Sequence, residues 1–294
     1  WGSTGTNKTP AFKRFLSEVK QGRVPVSWWS YKDGGHNQAG KQELNSLINN
    51  NGFDTPKPSR LIKLMLQIST KPNDKDIILD FFAGSSSTAQ AMLELNRFDD
   101  GNRQFLLVQL PEPNIEKSLA RRSGFVSIAD IGKERIRRVI AKMKAEDEGK
   151  FDLSTRDTPE DLGFKVFKLT ESHFKPWSGT AEAESETYAT QMALFNDPLM
   201  EGWTPAGVIT EIALKEGYAL TSRIERAAVA GYEVFKVSDP DKGQQFHVCL
   251  DATLSSDVVA VLGLGVEDLF ICRDVALDDT TAANLALQCR LKVI

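Results

Sequence analysis

The chain has 294 residues, 41% of them hydrophobic, enough for one large domain or two smaller ones with real cores. Its formal net charge of −4 excludes a uniformly basic nucleic-acid binder. The charge is unevenly spread: residues 1–75 carry 12 Lys and Arg against 5 Asp and Glu, and residues 171–294 carry 9 against 19, so a polyanion is drawn to the N-terminal part.

The first residues, Trp1-Gly2-Ser3-Thr4-Gly5, lack both an initiator Met and the apolar stretch of a signal peptide, and read as the continuation of something longer. A helix is expected at Ala11–Gln21, followed by the aromatic segment Val24–Tyr31 and a turn at Asp33-Gly34-Gly35. Lys41–Asn49 is expected to be helical, stopped by Asn49-Asn50-Asn51-Gly52. Residues 1–56 hold too few apolar residues to be a domain alone.

Lys57-Pro58 opens the next helix, because proline suits a first turn, and Leu61, Leu64, Met65 and Ile68 recur at helical spacing. Lys71-Pro72-Asn73-Asp74 ends it. The apolar run Ile77–Phe82 predicts a buried parallel strand, Ala83–Thr88 a small-residue turn, and Ala89–Leu95 a helix. After Asp99–Asn102, Phe105–Leu110 predicts a second buried strand, which completes a βαβ unit with a right-handed crossover. A helix over Gly132–Glu146 follows, with Asp130 as its N-cap.

Gly163–Thr170 reads as an isolated strand, and residues 171–203 as an acidic linker containing Glu182, Glu184 and Glu186. Beyond it come a helix at Val208–Lys215 and a hairpin of Tyr232–Ser238 and Gln245–Leu250 around Asp239–Gly243. Helix Asp257–Leu262, strand Leu269–Cys272, helix Thr280–Gln288 and strand Arg290–Ile294 complete a small α/β layer, residues 204–294.

Cys249, Cys272 and Cys289 form no CxxC pair and lie in apolar stretches, so they read as core residues in a reducing, cytoplasmic compartment. His36, His173 and His247 are dispersed, and no metal site is expected. No stretch approaches the roughly 20 apolar residues of a membrane span, so no membrane partner is expected.

The chemistry is concentrated at Asp80–Thr88. A strand ending in Asp, then aromatic-aromatic-small-Gly, then a helix opened by hydroxyl residues is suited to holding a ligand: Gly84 permits a sharp turn and close backbone approach. The following helix N-terminus favours a carboxylate or phosphate. The position, at the carboxyl end of parallel strands, is where open α/β sheets bind ligands. The loop matches neither G-x-G-x-x-G nor G-x-x-x-x-G-K-[ST], which weakens nicotinamide and nucleoside-triphosphate readings. From the loop alone, a glycine merely easing a strand-to-helix turn stays open as an alternative. At the end of the next strand, where an acidic ribose reader is usual, stand Gln109 and, three residues on, Glu112.

The wider stretch narrows this. Asp54-Thr55-Pro56-Lys57-Pro58-Ser59-Arg60-Leu61 followed by Ile78–Gln90 resembles the β-class amino-methyltransferases, in which a Lys-Pro helix (motif X) precedes the cofactor loop (motif I). Ser86 replaces the second glycine of that family's common Phe-x-Gly-x-Gly. Gln104–Pro113, Ile128–Val139, Asp197–Arg223 and the segment from Trp28 to Gln38 more specifically resemble the Mod subunits of type III restriction-modification systems.

The resemblance implies a partial Rossmann-like sheet that binds S-adenosylmethionine in residues 57–170, preceded by the end of a target-recognition region. It places Asp80, Phe81, Phe82, Gly84, Ser85, Ser86 and Thr88 around the methionine end of the cofactor. Lys57, Pro58, Ser59 and Leu61 would close over it, with Gln109, Pro111 and Glu112 near ribose and adenine. The implied reaction is methyl transfer to adenine N6 of double-stranded DNA, with a Mod homodimer and a restriction (Res) subunit as partners. Lys8, Lys13, Arg14, Lys20 and Arg23, with Trp28, Trp29 and Tyr31, would contact phosphates.

The family's catalytic Asp-Pro-Pro-Tyr tetrapeptide, which clamps a flipped adenine, is absent from these 294 residues. In the family it lies N-terminal to motif X, so no catalytic residue is expected here and the chain alone is expected to be silent. A different class stays in play: a non-catalytic DNA-binding or assembly module whose glycine loop is vestigial. A third reading is another Rossmann-like nucleotide binder.

Overall fold

The computed structural model describes residue 15 and residues 24–49, 51–149, 159–176 and 197–294. The helix expected at Ala11–Gln21 and the basic residues Lys8 to Arg23 lie outside the described residues, as do residues 177–196 of the acidic stretch. The chain is mixed α/β and divides into two compact units, Trp1–Phe164 and Lys165–Ile294.

The first unit begins with a short helix α1 (Tyr31–Gly34), closed by a capping box between Ser30 and Asp33. Helix α2 (Asn37–Leu47) starts earlier than its apolar pattern indicates, because the His36 ring accepts the Ala39 N–H and caps it. Pro58 is the N-cap of α3 (Ser59–Ser69). Strand β1 (Ile77–Asp80), helix α4 (Ser87–Asp99) and strand β2 (Gln104–Leu107) then form the βαβ unit, with β1 and β2 parallel and Asp80 opposite Leu107. A short helix α5 (Leu119–Arg122) precedes α6 (Ile128–Asp147). Ser127, not Asp130, is the N-cap of α6; Asp130 is the third helical residue and completes a capping box, accepting the Ser127 N–H at 2.8 Å.

The core of this unit lies between α4 and α6, where Ala89, Met92, Leu93, Leu95, Ile136, Val139 and Met143 are buried and Ile78, Phe105 and Leu107 lean in from the sheet. The expectation of fully buried strands fails here. Side chains alternate across a strand, and the second face of this two-stranded sheet leaves Ile77 68%, Leu79 48% and Leu106 47% exposed. The reason is that, among the described residues, the sheet has only β1 and β2, with helices packed on one side of them.

The second unit is built on a five-stranded mixed sheet in the order β3-β4-β5-β6-β7. After helix α7 (Pro205–Lys215), strands β3 (Arg223–Val229), β4 (Tyr232–Asp239) and β5 (Gln244–Cys249) are antiparallel neighbours. Helix α8 (Asp257–Leu262), strand β6 (Leu269–Cys272), helix α9 (Asp279–Gln288) and strand β7 (Arg290–Val293) add two parallel strands. Alternation sorts the core. Val237, Phe246, Val248, Leu269 and Ile271 face Val208, Ile209 and Ile212 of α7. Val234, Cys249, Phe270 and Cys272 face Val258 and Val259 of α8 and Leu285 of α9. All three cysteines are buried, as the apolar stretches around them predict.

Two readings change. Gly163–Thr170 is not a strand: it has no ladder partner among the described residues, and Val166, Phe167 and Leu169 are exposed. Its first residues make side-chain contacts instead. Phe164 lies under the Arg137 guanidinium at 5.9 Å, and the Lys165 ammonium donates to the Thr221 and Ser222 carbonyls. Conversely, β3 is a strand that the pattern Arg-Ile-Glu-Arg-Ala-Ala-Val conceals, because an exposed edge strand needs no apolar alternation. Ala230 and Gly231, both with positive φ (51° and 86°), make the two-residue hairpin to β4. Among the described residues no helix is long and apolar enough to cross a membrane.

Candidate functional site

At the end of β1 the backbone turns sharply, and Asp80 closes the turn. One of its carboxylate oxygens accepts the Phe82 N–H at 3.1 Å and the other accepts the Thr88 hydroxyl at 2.6 Å. The Ala83 N–H donates to the Val108 carbonyl at 3.1 Å, which ties the loop to the end of β2. The Gly84 N–H donates to Gln109 Oε1 at 2.7 Å. Gly84 has φ +51°, and a Cβ there would stand 3.3 Å from the Phe53 ring.

Ser86 has φ +59° and ψ +38° with no glycine to relieve it. A β-carbon in this region costs about 1–2 kcal/mol, so the conformation persists only where the surroundings dictate it. Ser86 is the N-cap of α4, yet its side chain makes no capping bond.

The surroundings are a buried polar network. Arg135, on α6, has no exposed side-chain surface. Its Nη1 donates to Ser85 Oγ (3.0 Å), the Ser85 carbonyl (3.5 Å) and Ser87 Oγ (2.7 Å), and its Nε donates to Gln90 Oε1 (2.7 Å). Arg135 Nη2 makes no hydrogen bond but lies 3.5 Å from the Glu43 carboxylate. Burial pulls the Arg135 guanidinium below its usual pKa, while Glu43 and Glu94 oppose the shift. Glu43, on α2, also accepts the Ser59 N–H (3.0 Å), the Ser59 hydroxyl and the Gln90 amide (2.6 Å). Ser87 donates its hydroxyl to the Lys57 carbonyl at 2.8 Å. The start of α3, the start of α4 and the middle of α6 are thereby joined.

The residues singled out from sequence fall into two sets. Pro58, Ser59, Ser85, Ser86 and Thr88 are buried, and the hydroxyls of Ser59, Ser85 and Thr88 are engaged with protein groups. Lys57, Phe81, Phe82, Pro111 and Glu112 are exposed, while Leu61, Asp80, Gly84 and Gln109 are half-buried. Asp80, Ser85, Ser86 and Thr88 build the turn, Pro58 and Ser59 begin α3, and Phe81 and Phe82 stand exposed just past the end of β1. Gln109 turns its amide toward Gly84 rather than outward. Trp28 and Tyr31, expected near phosphates, are exposed.

Sequence reasoning passed over Arg135, Glu43, Gln90 and Gly132. One signal was available: Ile131, Arg135 and Val139 are spaced by four, so a charged residue stands on the apolar stripe of α6. Gly132 is buried one turn before Arg135, and a Cβ there would stand 2.5 Å from Ser86 Oγ and 3.1 Å from the Gly84 carbonyl oxygen.

The surface just past the end of β1 is aromatic and exposed. Phe82 is 88% and Phe81 62% exposed, two adjacent aromatic faces next to a braced glycine turn. Glu112, exposed, follows the end of β2 by five residues.

Residues 6–143 match the model of a DNA methylase family, a span that takes in α3, the glycine loop, β2 and most of α6. The chain is similar to the StyLTI Mod subunit of a type III restriction-modification enzyme of Salmonella typhimurium, 31% identical over 230 residues, covering 72% of this chain and 34% of that protein. It is 33% identical over 210 residues to the EcoPI Mod subunit of Escherichia phage P1, covering 71% of this chain and 30% of the relative. The type II methyltransferase M.KpnI of Klebsiella pneumoniae is 32% identical over 124 residues, 42% of this chain and 29% of that enzyme. The chain thus spans about a third of the length of these relatives.

Proposed function

We propose that this chain supplies the S-adenosylmethionine-binding part of a site-specific DNA (adenine-N6) methyltransferase of a type III restriction-modification system. The observation that carries the reading is the exposed Phe81-Phe82 pair on a glycine turn braced from beneath, inside the family-matching span. Bound S-adenosylmethionine would supply an electrophilic methyl group on a sulfonium, open to direct displacement by the adenine amine. Phe81 and Phe82 would hold the ring and the cationic centre, and Glu112 would accept from hydroxyl groups. Asp80, Ser85, Ser86 and Thr88 would shape the turn from within, and Lys57, Pro58, Ser59 and Leu61 would form the wall on the α3 side.

In this reading residues 57–170 are a partial Rossmann-like methyltransferase subdomain, residues 1–56 the end of a target-recognition region, residues 171–203 a linker, and residues 204–294 a small accessory α/β domain. Adenine clamping would fall to an Asp-Pro-Pro-Tyr segment that these residues do not contain, so the chain alone is inactive. Double-stranded DNA, a second Mod copy and a Res subunit are the partners that go with it, in a cytoplasmic setting.

Titration calorimetry with S-adenosylmethionine tests the reading. Phe82→Ala should leave stability within about 0.5 kcal/mol, since the side chain is largely solvated, and weaken binding by roughly tenfold or more. A folded wild-type chain that does not bind sinks the proposal. The second reading, a non-catalytic assembly module, draws on the exposed Ile77, Leu79 and Leu106 face and predicts that same absence of binding.

A further inference from the structure

We infer that Arg135 is a positioning residue for the methyl-donor site: its guanidinium, buried against Glu43, sets the shape of the glycine turn on which ligand affinity depends. The inference rests on the reading of that turn as a donor site. Arg135 does not reach the exposed aromatic surface; it acts through Ser85 and Ser87.

Ser86 holds a left-handed conformation that its side chain disfavours, and Arg135 Nη1 grips the residues on either side of it, Ser85 at 3.0 Å and Ser87 at 2.7 Å. The same helix presses on the turn a second time, at Gly132, where no Cβ fits between α6 and Ser86. Two independent contacts from one helix therefore converge on one strained residue.

The use of a charge here is informative. Burying an ion pair rarely stabilises a fold more than apolar residues of the same volume would, so a fully buried Arg paired with a half-buried Glu is poorly explained by stability alone. What the guanidinium adds is direction: planar donors aimed at four acceptors on three residues, which an apolar side chain cannot register. Glu43 extends that registration to the start of α3 through the Ser59 N–H at 3.0 Å. The turn and the α3 wall of the proposed site are consequently held by one charge pair.

The test uses the whole 294-residue chain, with two variants and three readouts. Glu43→Gln combined with Arg135→Met removes both charges of the pair together, so neither is left unpaired and the fold should survive. Arg135→Lys keeps the charge but cannot span Ser85, Ser87 and Gln90 at once. Thermal melting reports the fold, amide hydrogen exchange over residues 83–88 reports the turn without ligand, and calorimetry reports S-adenosylmethionine binding.

Both variants should melt cooperatively, exchange faster in the turn than wild type, and bind the donor roughly tenfold to a hundredfold more weakly. A folded double variant with wild-type exchange and wild-type affinity overturns the inference. If the double variant does not fold, Arg135→Lys decides: folded with undiminished affinity, it also overturns it. A wild-type chain that fails to bind removes the donor reading itself and this inference with it, an outcome distinct from unchanged variants of a binding chain.

Discussion

Gly84 donates its backbone N–H to the side-chain oxygen of Gln109 at 2.7 Å, which makes the glycine turn and the end of β2 one hydrogen-bonded unit. The position where an acidic ribose reader is usual thus carries an amide that turns inward to the loop. Replacing Gln109 with Leu removes the acceptor and should destabilise the first unit by about 1 kcal/mol, whereas Glu, which keeps an oxygen there, should come closer to wild type. Urea unfolding of both variants checks this. Equal stability of Gln109→Leu and wild type would show that the bond contributes nothing.

Gly132 lies inside a long helix, where alanine ordinarily gains about 1 kcal/mol over glycine. Here the added methyl group meets Ser86 Oγ and the Gly84 carbonyl, so the sign should reverse. Gly132→Ala is expected to lose about 1–3 kcal/mol in net stability, the usual cost of overpacking. A melting temperature raised by the substitution would refute the close docking of α6 on the turn.

Asp130 carries a pH dependence whose sign can be worked out. Its carboxyl pKa is held below the usual 3.8, first by the Lys133 ammonium at 2.7 Å and then, against the opposing effect of burial, by the Ser127 hydroxyl and N–H. A depressed folded-state pKa stabilises above the unfolded value, and the contribution disappears as pH falls through the folded one. Asp130→Asn should cost about 1 kcal/mol at neutral pH, through the weakened capping box and lost ion pair. The difference from wild type should shrink to nothing as the pH drops below 3.8. Denaturant titrations across that range decide it; a pH-independent difference would contradict the assignment.

Cys249, Cys272 and Cys289 are buried in the core of the second unit. Burial pushes the Cys249 thiol up to about 11 and Cys272 to about 12, so neither forms thiolate at neutral pH. A thiol reagent at pH 8 should label almost none of the three cysteines in the native chain and all of them in denaturant. Rapid stoichiometric labelling without denaturant would show that this core opens.

Much of the architecture was legible before any coordinates. The β4–β5 hairpin announced itself through alternating apolar residues around Asp239–Gly243, and α6 through Ile136, Val139, Ile140 and Met143 on one face. The βαβ unit followed from two apolar runs flanking a small-residue turn. Where the reading failed, the determinant was a neighbour. Residues 163–170 have strand-like composition but no ladder partner among the described residues, and β3 has polar composition but lies beside β4. Likewise, an apolar run such as Ile77–Leu79 reports affinity for a core and not whether both faces are covered.

The glycine turn at Asp80–Thr88 shows the division most clearly. The sequence by itself determined that a strand-to-helix turn stands there, because Gly84, the flanking strand and the hydroxyl-led helix are encoded within a few residues and depend on local backbone preferences. It equally carries the match to the DNA methylase family over residues 6–143. Only the tertiary structure decided which side chains are exposed and which are buried at the turn: Phe81 and Phe82 outward, Ser85, Ser86 and Thr88 inward. It alone brought Arg135 and Glu43, distant in the chain, to 3.5 Å. Side-chain direction and long-range charge pairing depend on how helices dock, and docking is a property of many residues at once that no local window contains.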